Sequence, residues 1–458
     1  TDSVSGPLLE GFALHAAGAD SAAGDRFERA LARMSAEEAA RVRALGWLLS
    51  REERGRYRAL DDSARLQYET TIWRLADPLA LTPANELWTE HVARYTYARL
   101  LERAPVVAGM HRWGRDLEEL TIRYGVPHRR GRLHGARFGE SGIVEYYDPD
   151  QLAYVTPDLL THGPTPSPPP GSAWRLREPR ARSGHAPASI RTMAELPHQA
   201  TRIPIDGGWV VRLDGAFGLD SLAGLPPEPL PGDTAHPPAP VPTHIETGLW
   251  LFDTAAGAAT ITHAAERVAL AGDSSRIALE VRAPPGEFVY AFEAFEPATR
   301  TARRARYALD LDSIRGLRIS DVIVARPFDT ALPASHRDVR LVPLTHLVLT
   351  PGTRIGILAE THGTPAGAYR IEVSLRSAER ASLPARVVGW IGRALGLTSA
   401  PEPPRVAWNV EHTGMRPLVV ALDLAIPEAQ SGLHMIEVAV VNVRTGAAAL
   451  GQRLVRIE

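Results

Sequence analysis

The chain has 458 residues and not one cysteine. It also lacks lysine, so all 51 basic side chains are arginine. Without Cys there is no disulfide framework, thiolate nucleophile, cysteine zinc site or cysteine-held iron–sulfur cluster. Without Lys there is no P-loop lysine, no Schiff-base lysine and no Ser–Lys dyad. A GC-rich gene, which exchanges Lys codons for Arg codons, produces the same pattern. The presence of only three asparagines agrees with that origin. Chemistry at carboxylates, His and Arg is left standing. No run of about 18 apolar residues occurs, so no spanning helix is expected. The net charge of −2 supplies no global field for nucleic acid. The first residue is Thr1, which is compatible with a removed leader.

Length alone suggests about three domains, and the patterning divides the chain. Residues 1–25 read as an N-terminal arm. Residues 26–160 read as a helical domain. Ser35-Ala-Glu-Glu38 is a capping-box pattern, and Val42, Leu45, Leu48 and Leu49 follow at helical spacing. Pro83-Ala-Asn-Glu86 opens a further helix. Residues 161–245 are proline-dense and read as a linker carrying one hairpin around Asp206-Gly-Gly208.

From 246 onward the hydrophobic period switches from helical to two. Arg276–Arg282 alternates, and so does Tyr369–Leu375, with Tyr369, Ile371, Val373 and Leu375 on one face. Short alternating strands between Pro/Gly turns predict β-sandwiches. The expected fold class is therefore multidomain α plus all-β. It comprises a helical front domain, a proline-rich linker, and two Ig-like or jelly-roll-like sandwiches over 246–335 and 336–458. Residues 383–400 break the strand pattern as a helical insertion. There Val387, Trp390 and Ile391 share one face and Arg393 lies on another.

The stretch from about Arg54 to Tyr147 resembles the GWxTD domain family. The carrying residues are Ile72-Trp73, Asp77-Pro78, Asn85-Glu86, then Arg112-Trp113-Gly114-Arg115-Asp116, Arg123, Gly125 and Pro127. The naming motif keeps Trp113 and Asp116 and has lost its Gly and Thr. The resemblance implies an exported envelope protein whose helical domain is followed by β-sandwich modules, and it supplies no catalytic residues. Trp73, Asn85, Glu86, Trp113, Asp116, Arg123, Gly125 and Pro127 are expected to be architectural. Trp113, Asp116 and Arg123 would form a buried polar brace.

Several constellations carry side chains capable of chemistry. Glu86, Glu90 and His91 could hold a metal, but their spacing is not HExxH, and solvated helix carboxylates beside one interfacial His are expected instead. Asp310, Asp312, Asp321 and Glu280 suggest an edge calcium site only faintly. His244, Glu246, His263 and Glu266 could meet at a jelly-roll mouth. Arg300, Arg303, Arg304 and Arg306 read as the outward face of a hairpin. No Gly-x-Ser-x-Gly elbow exists. No catalytic residue, cofactor or metal ligand is assigned.

The expected function is therefore that of a non-enzymatic, exported interaction protein. It would be a membrane-extrinsic scaffold or accessory subunit, in the periplasm or on the envelope surface. Its partners would be subunits of a membrane complex, a photosynthetic reaction-centre and antenna assembly being one instance. Expected contacts are Arg129, Arg130, Arg132 and Arg137 in a basic loop, and Val387, Trp390, Ile391 and Arg393 in the insertion. Two alternatives stand beside this. One is carbohydrate or polymer binding through exposed Trp209, Trp250 or Trp408. The other is a metal-dependent hydrolase built from Asp, Glu and His.

Overall fold

A computed structural model describes residues 3–49, 51–104, 113–125, 129–133, 142–146, 190, 192–218, 243–270, 274–313, 315–328, 331–378 and 405–458. The architecture is mixed α + β, with helices at the front and β-sandwich-like sheets behind.

The helices are α1 (Ser5–Ala16), α2 (Asp20–Leu31), α3 (Ala36–Arg43), α4 (Arg51–Arg58), α5 (Asp62–Leu75), α6 (Glu86–Glu102) and α7 (Arg115–Tyr124). Local chemistry sets their starts. Ser35 and Glu38 form a complete capping box at α3. Asp61 caps α5 through the backbone N–H of Ala64, and Asn85 caps α6 through that of Trp88. The first 25 residues are not an arm. Leu8 of α1 is buried with Phe27 of α2 and Val92 of α6 in one apolar cluster, because Gly11 lets the Phe27 ring lie against its own backbone. A two-stranded ribbon, β1 (Arg129–Leu133) with β2 (Gly142–Tyr146), follows α7 in the chain.

The first pair of sheets comes next. Strands β3 (Thr192–Glu195), β10 (Thr301–Leu311), β9 (Gly286–Glu296), β6 (His244–Asp253) and β7 (Ala259–Ala269) form one sheet in that order. The other holds β4 (His198–Ile205), β5 (Gly208–Gly218) and β8 (Ser274–Ala283). Their shared core includes Leu213, Phe217, Leu249, Leu279 and Phe292. The hairpin expected within a linker is β4–β5. It is a constituent of this sandwich, because β5 pairs along its whole length with β8, Leu213 opposite Leu279.

In the second pair, β14 (Arg354–His362) is flanked by β11 (Arg318–Ile319) and β12 (Ile323–Ala325) on one side and β17 (Val419–Ala425) on the other. The facing sheet runs β13 (Val348–Leu349), β19 (Ala448–Ile457), β18 (Gly432–Asn442), β15 (Gly367–Ser377) and β16 (Arg405–His412). Tyr369, Ile371, Val373 and Leu375 of β15 all face the core, as period-two alternation requires. The expected helical insertion at 383–400 lies outside the described residues.

Candidate functional site

The described residues hold their polar chemistry at two junctions and in one helical network. The first junction joins the helices to the first sandwich. Arg306 of β10 is almost fully buried, as is Glu293 of β9, and their side chains pair at 2.6 Å. The other Arg306 amino group donates to the Leu75 carbonyl at the end of α5, also at 2.6 Å. Glu293 accepts in turn from the Leu81 N–H at 3.1 Å. Arg304 donates to the carbonyl of Pro78 at 2.8 Å. Beside these, Leu75 packs with Phe252, Val289 and Ala291, and Leu79 with Ile190 and Ala302. The sequence reading placed Arg303, Arg304 and Arg306 outward. Arg303 and Arg306 are instead buried, and both Arg304 and Arg306 satisfy carbonyls of the α5–α6 connection, which a buried helix end requires.

Glu86 sits at the start of α6, close enough to feel Glu293 and Asp20. It was expected to be solvated. It is 3% exposed, one of its oxygens has no hydrogen-bond partner, and burial raises its pKa to about 7. Burial also pushes Asp77 well above the ordinary carboxylate range. Three carboxylates and two guanidinia thus share this junction.

Glu90 and His91 part company. Glu90 accepts from His15 Nε2 at 2.6 Å and from Arg94 Nε at 2.5 Å, while Asp20 takes His15 Nδ1 at 2.8 Å. Burial opposes the imidazolium, but the Asp20 and Glu90 hydrogen bonds outweigh it and lift His15 to about 9. His91 is buried against the Val42 carbonyl at 2.7 Å, and burial lowers it to about 4. The pair therefore does not converge on a metal. Among the described residues, no group of three or more His, Asp or Glu is placed to hold one.

The expected Trp113–Asp116–Arg123 brace does not form. Asp116 is exposed in the first turn of α7, and Arg123 pairs with Glu119 at 3.0 Å. Arg94 does the bracing, donating to the Arg123 carbonyl at 2.8 Å. Gly125 ends α7 at φ 73°, where a Cβ would meet the Arg94 guanidinium at 3.2 Å. Trp73 donates to the Arg43 carbonyl, and Asn85 donates to the Trp73 carbonyl at 2.6 Å. Pro127 lies outside the described residues.

The second junction joins the two sandwiches. Gln199 of β4 is 1% exposed. Its amide donates to the Val324 and Leu344 carbonyls and accepts from the Val324 N–H, each at 2.8 Å. Arg453 of β19 reaches the carbonyls of Val322 and Ala200, both at 2.7 Å. Arg202 forks onto Asp321 at 2.8 and 2.9 Å. Further along, Arg212 binds Asp214 and Glu280, and His336 contacts Glu360 at 3.0 Å. Asp321 and Glu280 are thus taken by arginines, and among the described residues Asp310, Asp312, Asp321 and Glu280 form no group placed to hold a cation. A cleft of about 450 Å³ opens at one end of this junction, lined by Asp206, Ser313, Gly316, His362 and Gly363. His362 pairs with the exposed Asp206 at 3.0 Å.

The three candidate tryptophans are each engaged. Trp209 is buried and donates to the Asp312 carbonyl. Trp250 stacks on His263 and packs toward Leu75. Trp408 packs on the second core. His244, Glu246, His263 and Glu266 stay spread along β6 and β7, with Glu246 taken by Arg267. Of the expected contacts, Arg129, Arg130 and Arg132 fall in β1, whereas Arg137, Val387, Trp390, Ile391 and Arg393 lie outside the described residues. The sequence reading passed over two turns, Met415-Arg416 and Val443-Arg444. Met415 is 84% exposed and Val443 60%. The available signal was an apolar residue in a turn where polar ones are usual.

No family model matches the chain, and no curated protein matches it. Among solved structures the chain is similar to a D1–D4 ectodomain fragment of ICAM-5, at 15% identity and a TM-score of 0.16. That likeness covers 57% of this chain and 54% of the other, so the chain spans about half the length of its neighbour.

Proposed function

We propose that the chain is a non-enzymatic, membrane-extrinsic interaction protein, a scaffold or accessory subunit of an envelope complex outside the cytoplasm. The observation that carries this reading is where the buried polar groups are spent. Arg306, Gln199 and Arg453 each tie one folded unit to the main chain of another. Such side-chain-to-carbonyl ties hold the units in a fixed relation and present edges and loops on a stiff frame. The resemblance to GWxTD domains supports the exported setting.

The test is recovery of the native full chain after gentle detergent extraction of membranes. Co-purification with membrane proteins in fixed proportion is the expected result. Recovery as a lone monomer from the soluble fraction overturns it.

A further inference from the structure

One end of the second sandwich carries two neighbouring turns. Strand β15 lies between β16 and β18. Its start, Gly367 to Tyr369, is opposite His412 on one side and Asn442 on the other. The β16–β17 turn and the β18–β19 turn therefore leave the sheet at the same end. They stand two strand spacings apart, about 10 Å.

Each turn presents an apolar residue followed by an arginine, Met415-Arg416 in one and Val443-Arg444 in the other. All four residues are exposed. Both turns are held in place. The Asn442 side chain accepts from the N–H groups of Arg444 and Thr445 at 3.0 and 2.9 Å. The Val443 N–H donates to the Ala368 carbonyl at 3.0 Å. Gly446 and Gly414 take φ of 72° and 79°. Gly414 also packs so tightly that a Cβ would come within 2.7 Å of the Ala366 nitrogen. No ion pair within the described residues engages Arg416 or Arg444.

Rigid turns that face only water favour Gly, Asn, Asp and Ser. Here they expose Met and Val, with free guanidinia directly behind. The tips belong to two separate turns about 10 Å apart. A soft interface accepts such tips without a matching pocket, and its phosphates supply the missing counter-charge.

We propose that this end of the second sandwich docks on an anionic lipid surface. Met415 and Val443 enter the interface, and Arg416 and Arg444 engage lipid phosphates. The proposal rests on the membrane-extrinsic reading above and gives it an orientation.

The experiment is co-sedimentation of the full chain with two kinds of vesicle, phosphatidylcholine alone and phosphatidylcholine containing phosphatidylglycerol. Binding to the anionic vesicles is expected, weakening as salt rises. Met415→Ser with Val443→Ser, and separately Arg416→Ala with Arg444→Ala, should each lower it by roughly tenfold. Both pairs sit on exposed tips, and an unchanged melting temperature shows that they fold. The absence of cysteine makes Met415→Cys the sole thiol, and an environment-sensitive dye there should shift to the blue on anionic vesicles. No binding to anionic vesicles, or binding that the Met415→Ser, Val443→Ser variant leaves intact, overturns the proposal. If vesicles fail while the detergent extract yields a membrane complex, the scaffold reading stands and the lipid contact falls. Crosslinking of the Met415→Cys thiol to an acidic protein in that complex would likewise overturn it.

Discussion

The two junctions of this chain bury polar groups by different means. Between helices and first sandwich, charge is buried outright. Arg306 and Glu293 are 2% and 0% exposed, and Glu86 lies beside them with an oxygen lacking any partner. Between the sandwiches, a neutral amide, that of Gln199, is buried with each contact met. Ion pairs there are less deeply buried than Arg306 and Glu293, the side chains of Arg212 and Asp214 being 11% and 7% exposed and that of Arg202 41%. A buried charge tolerates no loss of its partner, whereas an amide costs only the hydrogen bonds it forfeits. The first junction should therefore be brittle and sensitive to pH, and the second more forgiving.

The largest effect is expected from Arg306→Ala. It strands Glu293 and the Leu75 carbonyl, at a cost of about 3–5 kcal/mol. Urea unfolding followed by tryptophan fluorescence should show the helical region melting early, and an unshifted curve would break the contrast. Gln199→Leu comes next. It leaves the Val324 N–H and the Leu344 carbonyl without their partner, while the Val324 carbonyl keeps the Leu344 N–H, and should cost about 2–3 kcal/mol, read as faster amide exchange around 322–325 with the helices unaffected. Asn85→Ala removes both the α6 cap and the bond to Trp73, for about 1–2 kcal/mol, visible as a lower melting temperature.

A pH series separates the junctions further. Glu86 has a folded pKa near 7 against 4.5 for a free carboxyl. The native state therefore keeps a proton that the unfolded chain has lost. This contribution is complete below about 4.5 and gone above about 7. Glu86→Gln should flatten stability across that window, and a slope as steep as that of the parent would refute the assignment. His15, lifted from 6.5 to about 9, places its own loss later. Its stabilisation is full below about 6.5 and disappears as pH rises through about 9. His15→Gln should remove that second decline without touching the first.

Sequence reasoning reached those features that depend on near neighbours. The Ser35 capping box, the helix opened at Pro83-Ala-Asn-Glu86 and the alternation of Tyr369 to Leu375 involve residues close together in the chain, so local pattern reveals them. It missed what depends on distant pairing. Arg304 and Arg306 look solvent-facing until the α5–α6 connection is placed over them, and Glu86 looks exposed until β9 and β10 arrive. The β4–β5 hairpin sits amid prolines, and nothing local ties it to β8. Met415 and Val443 read as ordinary apolar residues because exposure is a property of the finished end of the sandwich.

Arg306 also sets an order in time. The carbonyls of Leu75, Asp77 and Pro78 wait for guanidinia that lie 226 to 231 residues further along the chain. At about 5–20 residues per second, a ribosome takes roughly 10–45 s to deliver them. Throughout that interval the end of α5 and its apolar neighbours Leu75 and Leu79 lack their cover. The helical front emerges first and is completed late, so its newborn form is a natural client for a chaperone until β10 leaves the exit tunnel.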